Sequence, residues 1–265
     1  MRALLWLFAI LLLAFLLAPI GIVMATSFDP SPFMQFPPRH LSPHWYTHFF
    51  ASDHWVQPTL LSLRVALVVT ACSTLLGTLA AIGLVRGEFD GRTALEMFLL
   101  SPMVVPIVVL ALGLFFLFSS AHLLDHPAAL YLGHTIVATP LVIILVRAGL
   151  RTTDPTMERA ARSLGASAWR ALWHVTLPAI RESIIAGAIF SFLVSFDEVV
   201  IAIFVGGPSA TTLPKQMWES IRFEIDPTLT AIASMLTLLA IALLLGGELV
   251  AWRHIQRRRA PAAPG

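Results

Sequence analysis

Asp197 and Glu198 are adjacent carboxylates inside the apolar run 183–205. An ionisable residue well inside such a run costs about 2.5 kcal/mol or more to insert into a bilayer, so these side chains are expected to face protein or water. Neighbouring helical positions differ by about 100°, which keeps the two from pointing the same way but lets them straddle one inward face with Ser191 and Ser195. Such a face attracts cations, and Ser195, Asp197 and Glu198 are therefore candidate residues of a translocation pathway near the middle of a helical bundle. The alternative is a structural clamp, in which either carboxylate bonds to another helix or pairs with Arg64 or Arg222.

Other reactive residue types occur without the partners that chemistry needs. No Gly-x-x-x-x-Gly-Lys-Ser/Thr phosphate loop is present, and the single lysine is Lys215, so the chain does not cradle ATP in that manner. No nucleophile with a positioned base and no His-Glu-x-x-His zinc motif appears, which gives no catalytic residues to nominate. Cys72, the one cysteine, cannot form an intrachain disulfide and reads as a small packed hydrophobe. His40, His44 and His48 recur at i, i+4, with His54 beyond, but no cysteine accompanies them and Pro43 interrupts the first interval. They read as part of an irregular interfacial segment over 26–57 rather than a metal site. His134 reads as a packed or interfacial histidine, Met97 and Met103 as packing residues, and Arg64 as an anchor that snorkels to the interface, with a gating pair as its alternative.

The elements that must position these residues follow from composition. With 57% hydrophobic and only 12% charged residues, a water-soluble fold is excluded, and no polar stretch is long enough for a second, soluble domain. Apolar runs at about 4–25, 58–85, 93–119, 129–150, 183–205 and 228–252 each approach the roughly 20 residues of a spanning helix, so the expected fold class is an all-α integral membrane protein of six transmembrane helices. None shows the alternation of barrel strands. The first run follows Arg2 as a signal peptide would, but it continues to Met24 and reads as a retained span.

Sixteen of the seventeen basic residues are arginine, and most flank the runs. Arg2, Arg86, Arg92, Arg147, Arg151, Arg159, Arg162, Arg170, Arg181, Arg253, Arg257, Arg258 and Arg259 fall on one side of the expected spans, against Arg39, Lys215 and Arg222 on the other. The positive-inside rule then places both termini and the loop 151–182 in the cytoplasm, and the charge is a topology signal, not a footprint for nucleic acid.

That loop is long for a connector in a compact bundle. Asp154 is placed to cap a helix with Pro155 at its first position and Glu158 in its first turn, and Gly165 to stop it. A second short helix after Ser167 puts Trp169, Leu172 and Trp173 on one face before Pro178 discourages continuation from Leu177. The pattern alone describes a helical hairpin, and a membrane-surface hairpin packed on the bundle's own ends is one reading of it.

The run from Glu158 through Ala160, Ala161, Gly165 and Ser167, followed by Leu177-Pro178, resembles the signature loop of binding-protein-dependent ABC importer permeases. In that family an acidic residue directly precedes the two alanines. Here Arg159 occupies that position and Glu158 lies one earlier, where it can pair with Arg162 at i+4. The resemblance implies a type I ABC importer permease fold whose loop 151–182 contains a coupling helix docking on a cytoplasmic ATPase, and it assigns Glu158, Ala160, Ala161, Gly165, Trp169, Leu177 and Pro178 to that loop. The stretches Ser195–Val200, Phe204–Pro208 and Thr211–Pro214, with Ser101–Pro106 and Gly133-His134-Thr135, look like the polyamine (spermidine/putrescine) branch, and the likeness runs roughly from Leu60 to Leu245.

What this resemblance implies is a non-catalytic permease subunit of a bacterial inner membrane. It binds no cofactor itself, and ATP and Mg are used by a dimeric partner ATPase. Further implied partners are a second homologous permease subunit or a second copy, an extracytoplasmic solute-binding protein and membrane lipid, with no nucleic acid. The solute is a small cation such as putrescine or spermidine, or another small charged organic solute. A stand-alone channel or ion-coupled carrier is the alternative from a different class, and a membrane-embedded enzyme or scaffold a third.

Overall fold

The computed structural model describes residues 2–223 and 226–242. Every regular element among them is helical. In chain order these are α1 (Arg2–Thr26), α2 (His44–Ala51), α3 (Asp53–Arg86), α4 (Arg92–Leu100), α5 (Ile107–Ser120), α6 (Pro127–Thr152), α7 (Pro155–Ser163), α8 (Ala168–Ala171), α9 (Leu177–Ala179), α10 (Arg181–Asp197), α11 (Val200–Val205), α12 (Leu213–Phe223) and α13 (Thr228–Ala242). Helix is the expected answer for runs this apolar, because it satisfies every backbone donor and acceptor without help from water. Among the described residues α1, α3 and α6 are long and apolar enough to cross a membrane, and two bent helix pairs raise that number to as many as five. The sixth expected run begins with α13, and its part beyond Ala242 lies outside the described residues.

Two of the expected spans are broken. The run 93–119 is not one helix: α4 and a 3₁₀ turn at Ser101–Met103 meet α5 at 100°. Pro102 and Pro106 explain the corner, since each removes a backbone donor and a proline ring crowds the preceding turn. The run 183–205 begins at Arg181 and stops at Asp197, where Glu198 turns extended (φ −74°, ψ 114°), before α11 resumes at Val200. The first connector is also more ordered than an irregular segment, because it contains α2 and the first turn of α3.

The chain divides into two compact units. In the unit Gln57–Glu219, α10 packs along α6, and α11 packs against α5 and α6. Val142 of α6 shows how close these helices come. A Cβ on Gly77 of α3 would lie 2.7 Å from the Val142 Cβ, and one on Gly187 of α10 would lie 3.2 Å from its Cγ1. Small residues at a crossing let backbones approach where lipid supplies no hydrophobic drive between helices. One apolar cluster joins Val65 and Val69 of α3 to Leu114, Phe118, Leu130 and Ile201, and a second gathers Ala81, Leu84, Ile143, Val146 and Ile180. Arg147 of α6 donates to the Glu96 carboxylate, tying α4 to the same bundle.

The other unit combines the described parts of Met1–Val56 and Ser220–Gly265. After Arg2 its α1 is apolar as far as Ala25, with its side chains from Leu4 to Leu17 exposed. The turn after α1 is knit by Trp45 Nε1 donating to the Asp29 carbonyl at 2.8 Å and by a 2.7 Å bond between the Ser27 and Tyr46 hydroxyls. His48 Nδ1 lies 3.1 Å from Thr228 Oγ1, and His44 and His48 both meet Trp45 edge-on. No group of three or more His, Cys, Asp or Glu side chains among the described residues is placed to hold a metal ion.

Candidate functional site

The break between α10 and α11 is built from both sides. One Glu198 oxygen, Oε1, accepts from the backbone amides of Val200 at 2.8 Å and Ile201 at 3.0 Å, so this carboxylate caps the start of α11. On the other side the Ser195 carbonyl, which would receive the next amide of an unbroken helix, lies 3.1 Å from His134 Nδ1 of α6. A carbonyl only accepts, so Nδ1 carries the proton and the imidazole closes the end of α10. The Ser195 hydroxyl is also 3.1 Å from that nitrogen. One turn earlier, the Ser191 hydroxyl bonds to Ser73 of α3.

The four residues expected on one inward face therefore separate. Ser191 and Ser195 are buried and spent on α3 and α6, which is helix-to-helix bonding and not the lining of open space. Glu198 is half-buried and committed through one oxygen to α11. Asp197 is exposed and has no hydrogen bond or ion pair among the described residues. Neither carboxylate is paired with Arg64, which is exposed on α3, and Arg222 lies 5.9 Å from the ring of its neighbour Phe223.

The hairpin between α6 and α10 follows local sequence rules. Asp154 Oδ1 accepts from the Thr156 amide at 2.8 Å, and hydrogen bonding from the Thr156 side chain, then from its amide, holds the Asp154 carboxyl below the usual range. Pro155 occupies the first helical position of α7. Gly165 ends the helix in the left-handed region at φ 92°, with Ala166 N bonding to Ala161 O at 3.1 Å and Gly165 N to Arg162 O at 3.0 Å, the two bonds of a Schellman stop. Ser167 then caps α8 through Arg170 N at 3.3 Å.

Pro178 does not stop the second helix at Leu177. A π-helical turn over Leu172–Thr176 delivers Leu177 N to Leu172 O, and the chain runs through Pro178 to Ala179 before bending 71° into α10. The wider π turn makes room for the proline ring against the turn before it. Trp169 and Trp173 touch edge-on at 5.6 Å, and with Leu172 and Leu177 they line a cavity of about 530 Å³ against Thr70 and Thr74 of α3. Glu158 meets Arg86 rather than Arg162: Oε2 is 3.7 Å from Arg86 Nε and accepts from Thr176 Oγ1 at 3.1 Å.

The opposite end of this unit holds a second polar knot. Asp125 Oδ1 accepts from Ser209 N at 2.7 Å, and the Ser209 hydroxyl returns a bond to the Asp125 carbonyl at 3.0 Å. The bond from Ser209 lowers the Asp125 carboxyl. Lys215 is buried, which lowers its ammonium, and Nζ donates to Gly207 O at 2.6 Å.

Residues 73–259 match the family described as binding-protein-dependent transport system inner membrane component. The chain belongs to this family. It is 35% identical over 240 residues to the putrescine transport system permease protein PotI of Escherichia coli K12, covering 87% of this chain and 85% of that one. It is 30% identical over 238 residues to the spermidine/putrescine transport system permease protein PotC of the same strain, covering 90% of each. A bacterial ABC transporter involved in the import of the acidic polysaccharide alginate has the same fold, with a TM-score of 0.72 at 15% identity over 98% of this chain and 97% of that one. The fold is the type I ABC permease fold that the hairpin motif implied. Permeases of this family are non-catalytic inner-membrane components of transport systems.

In this permease the signature residues occupy defined places. Ala160 is exposed on α7 and Ala161 half-buried, Gly165 makes the turn, Leu177 faces the apolar cavity and Pro178 is exposed on α9. Sequence reasoning missed four partners, His134 for Ser195, Arg86 and Thr176 for Glu158, and Arg147 for Glu96. The last had a legible signal, since Glu96 and Arg147 are opposite charges inside neighbouring apolar runs.

Proposed function

We propose that this permease forms half of the translocation pathway of an ATP-driven importer for a small organic cation of the polyamine class. Its six spans put both termini and the hairpin 151–182 in the cytoplasm, where the hairpin docks on an ATPase dimer that uses ATP and Mg. A second permease subunit, homologous or a second copy, supplies the other half of the path, and an extracytoplasmic binding protein delivers the solute. The observation that carries the solute class is Asp197, an exposed carboxylate with no ion pair among the described residues, at a helix break inside an apolar segment. Breaks of this kind are where transporters place solute, because freed backbone groups and an uncommitted charge converge there. Similarity to PotI and PotC supports the same class.

Glu198 contributes its second oxygen to that break while the first holds α11 in place. Ser195 acts one step back, keeping α10 on α6 through His134. The deciding experiment is uptake of labelled putrescine and spermidine by vesicles holding the complete transporter, with an active or an inactive ATPase. ATP-dependent uptake that falls at least tenfold in Asp197→Asn supports the reading. ATP-dependent assembly with no polyamine uptake keeps the permease and moves the solute to another charged organic class. Flux without ATP supports a carrier and overturns the ATPase-coupled mechanism.

A further inference from the structure

Arg92, Glu96, Arg147 and Arg151 bring three cations to one carboxylate. Arg92 and Glu96 lie one turn apart on α4, as do Arg147 and Arg151 on α6. Arg147 donates to Glu96, and the Arg151 and Arg92 guanidinium groups are near enough to act on Arg147 electrostatically. Arg92 Nη1 reaches the Gly87 carbonyl at 3.5 Å, and Arg151 has no side-chain hydrogen bond or ion pair among the described residues. Glu88 and Asp90, in the turn before α4, are exposed and form no ion pair among the described residues. The cluster keeps two positive charges that no carboxylate answers.

Its depth in the bundle points to the ligand. On α6 the buried face carries Ile143, Val146 and Leu150, and the exposed face Ile144, Ala148 and Arg151. Arg147 stands on the border between them, about 40° from Arg151, with its side chain 19% accessible. Ile144 of α6 and Leu95 and Phe98 of α4 are large apolar side chains left exposed beside the cluster. In a membrane component such side chains meet hydrocarbon, and arginines at the end of the same surface reach headgroup depth. A protein helix filling this place would have to carry carboxylates into the bilayer, which is costly, whereas every phospholipid already has a phosphate at that level. Planar guanidinium groups match phosphate oxygens, and basic pockets between helices at a membrane face are where anionic headgroups bind. A zwitterionic headgroup would bring an ammonium to a cluster that is already positive.

We propose that Arg92, Arg147 and Arg151 bind the phosphate of an anionic phospholipid whose acyl chains lie against the exposed apolar side chains of α4 and α6. Glu96 holds Arg147 in place and sets the gap between the two helices. The site depends neither on the solute nor on the ATPase.

The test is native mass spectrometry of the complete transporter in detergent, titrated with phosphatidylglycerol or with phosphatidylcholine of the same acyl chains. The parent protein is expected to retain phosphatidylglycerol at least tenfold more tightly. Arg92→Gln combined with Arg151→Gln leaves the Arg147–Glu96 pair intact and is expected to weaken phosphatidylglycerol by about fivefold for each arginine removed, with phosphatidylcholine unchanged. Arg92→Lys combined with Arg151→Lys keeps the charge and is expected to lose less than fivefold in all. Equal retention of the two lipids by the parent protein, or no loss in the glutamine variant, overturns the proposal. Displacement of phosphatidylglycerol by millimolar inorganic phosphate makes this a site for a free anion and overturns the lipid assignment. A glutamine variant that keeps phosphatidylglycerol but sheds a subunit gives the arginines to a protein contact, which also overturns it.

Discussion

His134 gives its Nδ1 proton to the Ser195 carbonyl, and its other ring nitrogen is buried without a partner among the described residues. Replacing it with phenylalanine leaves that carbonyl unsatisfied, whereas asparagine presents an N–H at nearly the same place. His134→Phe is expected to cost about 0.5–2 kcal/mol in equilibrium unfolding in mixed micelles, and His134→Asn less than half of that. Asp125 makes a second prediction at this scale. Its folded carboxyl is held below the ordinary value, so the anchorage of Ser209 is fully present above about pH 4 and is lost only as pH falls through the lowered value. Amide exchange at Ser209 is expected to stay slow down to pH 4.5 and to quicken only at more acid pH. Residues with local partners were legible in the sequence: Asp154, Gly165 and Ser167 do what their neighbours require. Glu158 was not, because a partner at i+4 is visible in a sequence and one on α3 is not.

At the scale of elements, two of the six apolar runs were read as single spans because hydropathy is blind to a break that keeps the chain apolar. Pro102 and Pro106 were the available signal for the corner between α4 and α5. The break after Asp197 had no proline to announce it, and a carboxylate inside a span was its only mark. That carboxylate pair was read as a candidate solute path with a structural clamp as the alternative, and the structure gives Glu198 a structural task, capping α11. Glu198→Ala is expected to lower stability by about 0.5–2 kcal/mol, the worth of an N-cap. Glu198→Gln keeps an accepting oxygen and is expected to lose less than half as much in the same unfolding assay. Uptake then separates the two tasks. A glutamine variant that folds but transports poorly shows that the charge serves the solute, whereas one that transports normally confines Glu198 to the cap.

The whole molecule is ordered by where its charges are allowed. Within Gln57–Glu219, Arg86, Arg92, Arg147, Arg151, Arg159, Arg162, Arg170 and Arg181 gather around the hairpin end of the helices, while the end that joins Asp125 to Ser209 has the buried Lys215. In the proposed orientation that end is cytoplasmic, because arginines cross a bilayer only at high cost, and one asymmetry would then set the direction of every helix in the unit. In that proposed orientation the hairpin is open to an ATPase and the Ser209 loop to a binding protein. Single cysteines report this directly once Cys72, which is exposed, is replaced by serine. A cysteine at Ser163 is expected to react with a membrane-impermeant maleimide only after the membrane is opened, and one at Ser209 or Arg39 in intact cells. The reverse pattern would turn the permease over, put the hairpin out of reach of any cytoplasmic ATPase, and remove the basis for coupling at a single stroke. Equal labelling from both sides would mean that the arginine asymmetry does not set insertion, and the six-span path would have to be redrawn from the helix breaks outward.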